Sequence, residues 1–181
     1  MPETPVAHQR VLDAAARKGV TLEIVTFPES THTAAEAAQA VGAELGQIVK
    51  SLVFVAPEAD GTLTPYLVLT SGANRVDLQR LAAVVGDAGI RRASAREADE
   101  LTGFSIGGIP PLGHSRPLRV VMDPDLGRHP VVWAAAGTAN AVFAVPPATL
   151  RSLTNATVAP IAEEVAAEPL TEAPAGNPAG A

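Results

Sequence analysis

The sequence predicts a single α+β domain with a mixed, mostly antiparallel sheet and flanking helices. Three observations predict this class. Short segments with strand patterns are mixed irregularly with short segments of helical periodicity, which fits neither a regular βαβ series nor an all-β sandwich. The chain of 181 residues suits one domain. Hydrophobic residues make up 47% of it and aromatic residues only 3%, so the core must be built mainly from Ala, Val, Leu and Ile.

The first half of the chain is predicted to contain two helices and three strands. Residues 6–18 place apolar side chains at helical spacing, and Gly19 ends that helix. Thr33 and Glu36 form a capping box that starts a second helix, which runs to Gly42. Strand patterns cover residues 20–27, 48–55 and 65–70. The last two strands flank the turn PEADG and should form a hairpin.

The second half continues with the same mixture of elements. Asp77 caps a helix that ends at Gly86, and Ser94 and Glu97 form another capping box. Strands are expected at 119–122, 131–134 and 141–145, then a helix at 147–153 and a closing segment at 158–165. The composition after about Glu168 cannot build a core. We therefore expect one domain over residues 1–167 and a disordered tail over residues 168–181.

Composition excludes several classes of protein. The chain has no cysteine, its N-terminus has no apolar signal segment, and no apolar run approaches the ~18 residues of a membrane span. We expect a cytoplasmic protein that needs no cofactor, contacts no membrane and binds no metal, because the histidines and carboxylates lack metal-ligand spacing. Asp123 and Asp125 flank Pro124 and are interpreted as turn chemistry. The net charge of −6 argues against a protein that coats nucleic acid, but it permits a local basic patch.

Lys50 is the first candidate functional residue. Eleven of the 13 basic residues are Arg, and Lys18 is explained by the end of a helix. Lys50 lies within the apolar run IVKSLVFV, which is predicted to be a central strand with Lys50 and Ser51 on opposite faces. A buried ammonium there is costly without a partner or a cleft. Two interpretations remain: a lysine that extends its amine into water, or a cation at the floor of a pocket.

The loop GFSIGGIPPLGH is the second candidate. Adjacent glycines allow the backbone to approach a ligand closely and to offer amide donors, while the prolines keep the loop rigid. A loop that merely requires unusual backbone angles would have the same composition. It matches neither a phosphate-binding P-loop nor a dinucleotide fingerprint. His114 lies beside the loop, although a solvated loop histidine is the simpler interpretation.

Three runs of sequence together resemble one known family. They are TAAEAAQAVGAELGQIVKSLVF, then GGIPPLGH, then VVWAAAGTANAVFAVPPATLRSLTNATVAPIAE. In order and spacing they resemble the YbaK/prolyl-tRNA-editing domain family over roughly residues 27–163. The resemblance implies a mixed sheet around one pocket and a deacylase that hydrolyses mischarged aminoacyl-tRNA, with the tRNA 3′-end as its partner and possible association with an aminoacyl-tRNA synthetase.

The resemblance also implies roles for single residues. Lys50 matches the family's active-site lysine, which positions the tRNA 3′-end, and Gly107 would offer its backbone to the scissile ester. The other residues expected at the substrate are Phe27, Gly108, Ile109, Pro111, His114 and Ala135. No side chain is expected to act as general base, because the ribose hydroxyl of the substrate is thought to activate the water. Ala135 departs from the family pattern, since many members have a Ser there.

Two other functions stay open at this stage. The chain could be a non-catalytic module of the same fold that binds aminoacyl-tRNA or a small ligand, or a regulatory partner of a synthetase. Any contact with RNA would depend on local basic residues rather than on the net charge. The candidates are Arg75, Arg80, Arg91, Arg92, Arg116 and Arg119.

Overall fold

Helices and strands alternate irregularly along the chain, as predicted. The computed structural model describes residues 4–164. The α-helices in that range are α1 Val6–Ala16, α2 Ala34–Val41, α3 Leu78–Val85, α4 Ala95–Thr102 and α5 Pro147–Thr154. The strands are β1 Ile24–Thr26, β2 Ile48–Pro57, β3 Leu63–Ser71, β4 Arg91–Arg92, β5 Arg119–Met122, β6 Val132–Ala135, β7 Ala141–Val145 and β8 Thr157–Val158. Short 3₁₀ turns occupy Leu45–Gln47 and Pro124–Arg128. The tail predicted for residues 168–181 lies outside the described residues.

One mixed sheet contains all of these strands. Their order is β1-β7-β6-β2-β3-β5-β8, and β4 pairs with β2. Four pairings are antiparallel and three are parallel, which confirms the predicted mixed sheet. The predicted hairpin is β2–β3, in which Lys50 faces Thr70 across the strands. β2 lies between β3 and β6 and is therefore central, as its apolar pattern indicated.

The helix ends follow the capping residues that the sequence offered. Thr33 accepts a hydrogen bond from the Glu36 amide, and the Glu36 side chain returns to the Thr33 backbone. Ser94 and Glu97 form the same reciprocal pair at the start of α4. Asp77 caps α3 by accepting from the amides of the two residues after Leu78. These local signals required no tertiary contact, and for this reason they located the helices well.

Two strands differ from the prediction by more than two residues at an end or were not predicted. β1 is confined to Ile24–Thr26, although the pattern suggested residues 20–27. The residues before β1 stay near the end of α1, since the Val20 amide donates to the Ala15 carbonyl. Only the last part of the segment reaches β7 and pairs with it. β4 was not predicted at all. Its two arginines have no strand pattern, and they pair with β2 only because the fold brings them beside it.

The core lies on both faces of the β2–β3 hairpin. Alternate residues of β2, such as Val53 and Val55, pack in the larger cluster with α1, α4 and the Gly–Pro loop. Phe54 belongs to a second cluster with Leu81 of α3. A third, small cluster joins Ile48 to α2 through alanine side chains. α2 thus rests on a thin apolar contact, and its position depends strongly on its own cap.

Replacing the cap of α2 should therefore loosen one wall of the site described below. Thr33→Ala removes the side-chain acceptor for the Glu36 amide, and such losses typically cost about 1 kcal/mol of stability. We expect a lower midpoint in urea denaturation. The matched control is Thr33→Ser, which keeps the hydroxyl and should stay near the wild-type midpoint. Equal midpoints for the alanine variant and the wild type would contradict this account of α2.

Candidate active site at a gap in the sheet

The pairing of β2 is complete on one edge and interrupted on the other. Along β3 it runs without a break from Val49 to Pro57. On the opposite edge, β2 pairs with β6 only at Ile48 and Val49 and with β4 only at Phe54 and Val55. The Val53 carbonyl still accepts from the Ala93 amide beside β4, so within the described part of the chain residues 50–52 have no backbone partner on this edge. We call this interruption the gap.

Local geometry explains why the gap exists. β6 ends at Ala135, and the chain then turns into β7 through Gly137, whose φ of +104° is in the region that favours glycine. β4 is only two residues long because Ser94 already caps α4. Neither neighbour can extend towards the other, so the edge of β2 between them stays open.

A pocket with a cavity volume of about 230 Å³ opens at the gap. This is smaller than the roughly 300–1,000 Å³ of pockets for drug-sized ligands, so its interior suits a small group. Its walls come from α2, from the Gly–Pro loop and from the β6–β7 turn, and many of the side chains are alanines. The predicted site residues that line it are Lys50, Gly107, Ile109 and Ala135. The structure therefore brings the lysine and the glycine loop together.

Lys50 brings a positive charge to this pocket. The side chain is partly buried, and its Nζ donates a hydrogen bond to the backbone carbonyl of Asn74. Burial lowers the pKa of Lys50 below the ordinary value for lysine, and the charges of Arg75 and Arg92 lower it further, while Asp123 acts in the opposite direction. Among the described residues that line the pocket there is no carboxylate. The electrostatics therefore favour an anionic group near Lys50.

A buried carboxylate fixes the loop that holds Lys50. Asp123 is 1% exposed, and it accepts hydrogen bonds from the Thr70 hydroxyl and the Ser71 amide at 3.1 Å each, and from Asn74 Nδ2 at 2.8 Å. Asp123 also caps the 3₁₀ turn after β5, which matches the predicted turn chemistry. The same side chain thus ties β3, the Asn74 loop and that turn together. The Asn74 carbonyl that receives the Lys50 ammonium is accordingly held in place.

The Gly–Pro loop packs closely on the β6–β7 turn. Gly107 has a φ of +96° and faces the pocket beside Ala139. Gly108 lies behind it, where an added Cβ would approach the Thr138 backbone to 2.7 Å, so only glycine fits. The Gly108 amide donates to Ser105 within the loop. Gly107, rather than Gly108, is therefore the glycine whose backbone lines the pocket.

Side chains from distant parts of the chain hold both loops. Arg10 donates to the carbonyls of Gly103 and Gly113 at 2.8 and 2.9 Å, and its guanidinium lies 4.0 Å from the centre of the Phe104 ring. His8 bonds the Thr138 hydroxyl at 2.8 Å, and burial lowers the pKa of His8. The pocket rim is thus fixed before any ligand binds.

Four of the residues predicted at the substrate do not line the pocket. Besides Gly108, these are Phe27, Pro111 and His114. The Phe27 backbone pairs with Asn140 and supports the β6–β7 turn. His114 bonds the Pro110 carbonyl at 2.7 Å and packs on the edge of Phe104, and burial lowers its pKa. Contact of these four residues with a ligand stays a prediction.

Sequence reasoning missed several lining residues. Arg92 was proposed only as a contact for RNA, yet it lines the pocket with Thr31, His32, Ser51, Trp133, Thr138 and Ala139. Arg92 could have been found only through β4, which leaves no pattern in the sequence. Ser51 was assigned to the face opposite Lys50, and an unbroken strand would have kept the two faces apart. At the gap both reach one pocket.

The other arginines proposed for RNA differ in their surroundings. Arg91 forms an ion pair with Glu97 at 2.8 Å, and Arg80 pairs with Glu164. Arg119 donates to the Val85 carbonyl. Arg75 and Arg116 are exposed, and Arg75 is close enough to Lys50 to influence its charge. The positive field at the pocket therefore comes mainly from Lys50, Arg75 and Arg92.

Comparison with known proteins identifies the family to which the chain belongs. Residues 28–153 match the family model described as the aminoacyl-tRNA editing domain, and the chain belongs to that family. It is 33% identical over 124 residues to the multifunctional Ser/Thr-tRNA deacylase ProXp-y of Escherichia coli, covering 68% of this chain and 73% of that protein. A crystal structure of a proposed trans-editing enzyme for prolyl-tRNA synthetase superposes with a TM-score of 0.81 and 48% identity, over 90% of this chain and all of the other.

A further match connects the fold with a larger enzyme. The chain is 32% identical over 95 residues to a proline–tRNA ligase of Limosilactobacillus fermentum. The match covers 52% of this chain and 17% of that protein.

Within residues 4–164, no helix is both long and apolar enough to cross a bilayer. In the same range no group of three or more His, Asp or Glu side chains could hold a metal ion.

Because Gly108 packs closely on the Thr138 backbone, replacing it should destabilise the folded protein. Gly108→Ala would force its Cβ against the Thr138 backbone, and overpacking of this kind typically costs about 1–3 kcal/mol. We expect a lower melting temperature. The matched control is Gly127→Ala, because an added Cβ there meets no atom within 4 Å. Similar melting temperatures for the two variants would mean that the loop is not seated on the turn.

The electrostatics of Lys50 predict a shifted titration. Because burial lowers its pKa in the folded state, the unfolded chain binds the proton more strongly. Stability should rise with pH between the lowered pKa and the ordinary lysine value of about 10.4. We expect ¹³C NMR of labelled lysine to show Lys50 titrating below that value, and Arg75→Gln to move its pKa upwards.

Only two lysines contribute signals to this experiment, so a Lys50→Arg variant assigns them. A Lys50 signal that titrates at or above the ordinary value would contradict the described burial. An unchanged titration in Arg75→Gln would show that Arg75 does not act on the ammonium.

Proposed function

We propose that the protein is a trans-acting aminoacyl-tRNA deacylase that hydrolyses the ester between a wrongly attached small amino acid and the 3′-terminal ribose of tRNA. One observation carries the proposal: the Lys50 ammonium and the Gly107 backbone lie at the same small pocket. Membership of the editing-domain family and the printed activities of the relatives support it. The combination of a cationic rim with a small apolar interior supports this substrate class.

The cationic side of the pocket would hold the RNA end. Lys50, Arg92 and the nearby Arg75 provide positive charge around an opening whose described lining residues include no carboxylate. A phosphate of the terminal nucleotide is the anionic group that an aminoacyl-tRNA brings closest to its ester. We assign Lys50 the role of positioning that end of the substrate. A few local cations suffice for this, so the net charge of −6 is no obstacle.

The apolar side of the pocket would hold the amino acid. Ile109 is 5% exposed and forms one wall, and Ala135 at the end of β6 forms another. A cavity of about 230 Å³ selects for small side chains. The relative from Escherichia coli is named for serine and threonine, so seryl- and threonyl-tRNA are the first substrates to test.

The chemistry assigned to the site is ester hydrolysis with little help from side chains. Water attacks the ester carbonyl carbon, the carbonyl oxygen becomes an oxyanion, and the ribose oxygen leaves with a proton to give the free amino acid and intact tRNA. Gly107 is assigned to stabilise the reacting carbonyl through its backbone. Among the described residues that line the pocket, His32 is the only imidazole, and it is exposed. We therefore assign activation of the water to the neighbouring ribose hydroxyl of the substrate.

A binding module of the same fold is the second candidate. Ala135 favours it, because this position at the pocket lacks the hydroxyl that many members carry. Such a module would capture aminoacyl-tRNA and release it unhydrolysed. Binding without turnover over the substrate panel below would select this alternative. A synthetase partner is compatible with either function and is proposed from the relatives alone.

The first test is a deacylation assay on a panel of mischarged tRNAs. We expect turnover of one or two members and a loss of roughly 10- to 100-fold in Lys50→Ala, because a hydrogen bond to a charged group contributes about 1.5–3 kcal/mol. Lys18→Ala is the matched control, since Lys18 is the only other lysine and lies at the surface against α5. Undiminished deacylation by Lys50→Ala would rule out this mechanism.

Salt should weaken the binding of the substrate more than the chemical step. If two phosphates are bound, raising monovalent salt from about 50 to 200 mM should increase KM by about 7-fold, from the slope for single strands. The value of kcat should change little, because the cations act on the RNA end. Steady-state kinetics over that range provide the measurement. A KM that does not depend on salt would contradict an RNA footprint at Lys50, Arg75 and Arg92.

A further inference from the structure

The gap exposes hydrogen-bonding groups of the β2 backbone to the pocket. The Ile48 carbonyl accepts from Gly72 at 2.7 Å on the β3 side, whereas the Val53 carbonyl accepts from Ala93 at 3.0 Å on the β4 side. Because backbone groups alternate along a strand, Ser51 shares the orientation of Val53. The Ser51 N–H and C=O therefore point into the gap, where the described part of the chain provides no strand partner.

Ser51 is partly exposed, but its hydroxyl oxygen is not the exposed part. Ser51 lines the pocket and is partly exposed as a whole. Its Oγ, however, is shielded from solvent and has no hydrogen-bond partner among residues 4–164. The part of Ser51 that a ligand can reach is therefore its backbone or Cβ. A free strand edge of this kind is the usual docking site for the backbone of an added peptide residue.

The charges around the pocket limit which of its groups could accept hydrogen bonds from an amine. The described lining residues include Lys50, Arg92 and His32 but no carboxylate. An amino group that enters the pocket must consequently donate its hydrogen bonds to carbonyl or hydroxyl oxygens. The Ser51 carbonyl is such an acceptor, and it lies on the strand that carries Lys50. By alternation, the Lys50 and Ser51 side chains leave β2 on opposite faces.

We propose that the free edge of β2 at Ser51 is the subsite for the α-amino group of the aminoacyl ester, with the Ser51 carbonyl as its acceptor. This inference rests on the proposed deacylase function. The subsite recognises the backbone of the amino acid and not its side chain, so it serves every small amino acid that the pocket admits. It also requires a free α-amine. Esters whose α-nitrogen is acylated, as in peptidyl-tRNA, lose a donor and add bulk, and they are excluded.

The test compares three substrates that share one side chain and one tRNA. They are seryl-tRNA, Nα-acetyl-seryl-tRNA and glyceroyl-tRNA, the ester of glyceric acid, in which a hydroxyl replaces the α-amine. We expect kcat/KM to fall at least about 10-fold for both altered substrates, because a charged donor is lost in each. Equal values for all three would overturn the inference and leave the deacylase intact. If seryl-tRNA itself is not hydrolysed, the proposed function fails on this substrate and the inference falls with it.

A second measurement locates the recognition on β2. The probe is 3′-seryl-amido-3′-deoxyadenosine, which carries the free α-amine on an amide that the enzyme cannot hydrolyse as an ester. We expect the Ser51 carbonyl and amide signals in NMR spectra to shift on its addition, and to shift much less with the Nα-acetylated compound. The backbone signals of Val68, which is buried in β3 and does not line the pocket, serve as the internal reference. Shifts at Gly107 and Ile109 without any at Ser51 would overturn the proposal.

Discussion

On one edge of β2 the pairing with β6 ends at Val49, and hydrogen bonding resumes only at the Val53 carbonyl, which accepts from Ala93 beside β4. The rest of the site depends on this interruption. An unbroken sheet would separate the face that carries Lys50 from the face that carries Ser51 and contacts the Gly–Pro loop. The gap joins the two faces in one pocket, because β6 turns away at Gly137 and β4 ends at the cap of α4. The full pairing with β3 keeps the interrupted strand rigid.

The positive charges beside the gap favour the binding of an anion. Lys50 lies partly buried near Arg75 and Arg92, so its charged form is disfavoured and its pKa is lowered. The Asn74 carbonyl stabilises the ammonium, and the buried Asp123 holds the Asn74 loop and adds a compensating charge. An arriving phosphate would supply a counter-charge, because the described lining residues include no carboxylate. The ammonium of Lys50 thus has a backbone partner in the structure, while the positive charge around it favours the binding of an anion.

Much of the fold could be predicted because its signals are local. The capping boxes at Thr33 and Ser94 located two helices, and the alternation in IVKSLVFV identified β2 as a central strand. β4 could not be predicted, since two arginines become a strand only through contact with β2. The gap depends on that contact, so the pocket role of Arg92 and the shared pocket of Lys50 and Ser51 were beyond sequence patterns. The resemblance to a family brought Lys50 and Gly107 together, and the placement of both at one pocket agrees with it.

The most direct measurement is a crystal structure with a short tRNA acceptor mimic that carries a non-hydrolysable 3′-seryl-amide. We expect the seryl group to lie in the gap between β4 and β6, with a terminal phosphate within hydrogen-bonding distance of Lys50 Nζ. The Gly107 backbone should face the carbonyl that replaces the ester. A mimic bound elsewhere on the surface, with the gap empty and Lys50 contacting only Asn74, would contradict the central claim that the gap is the site of deacylation.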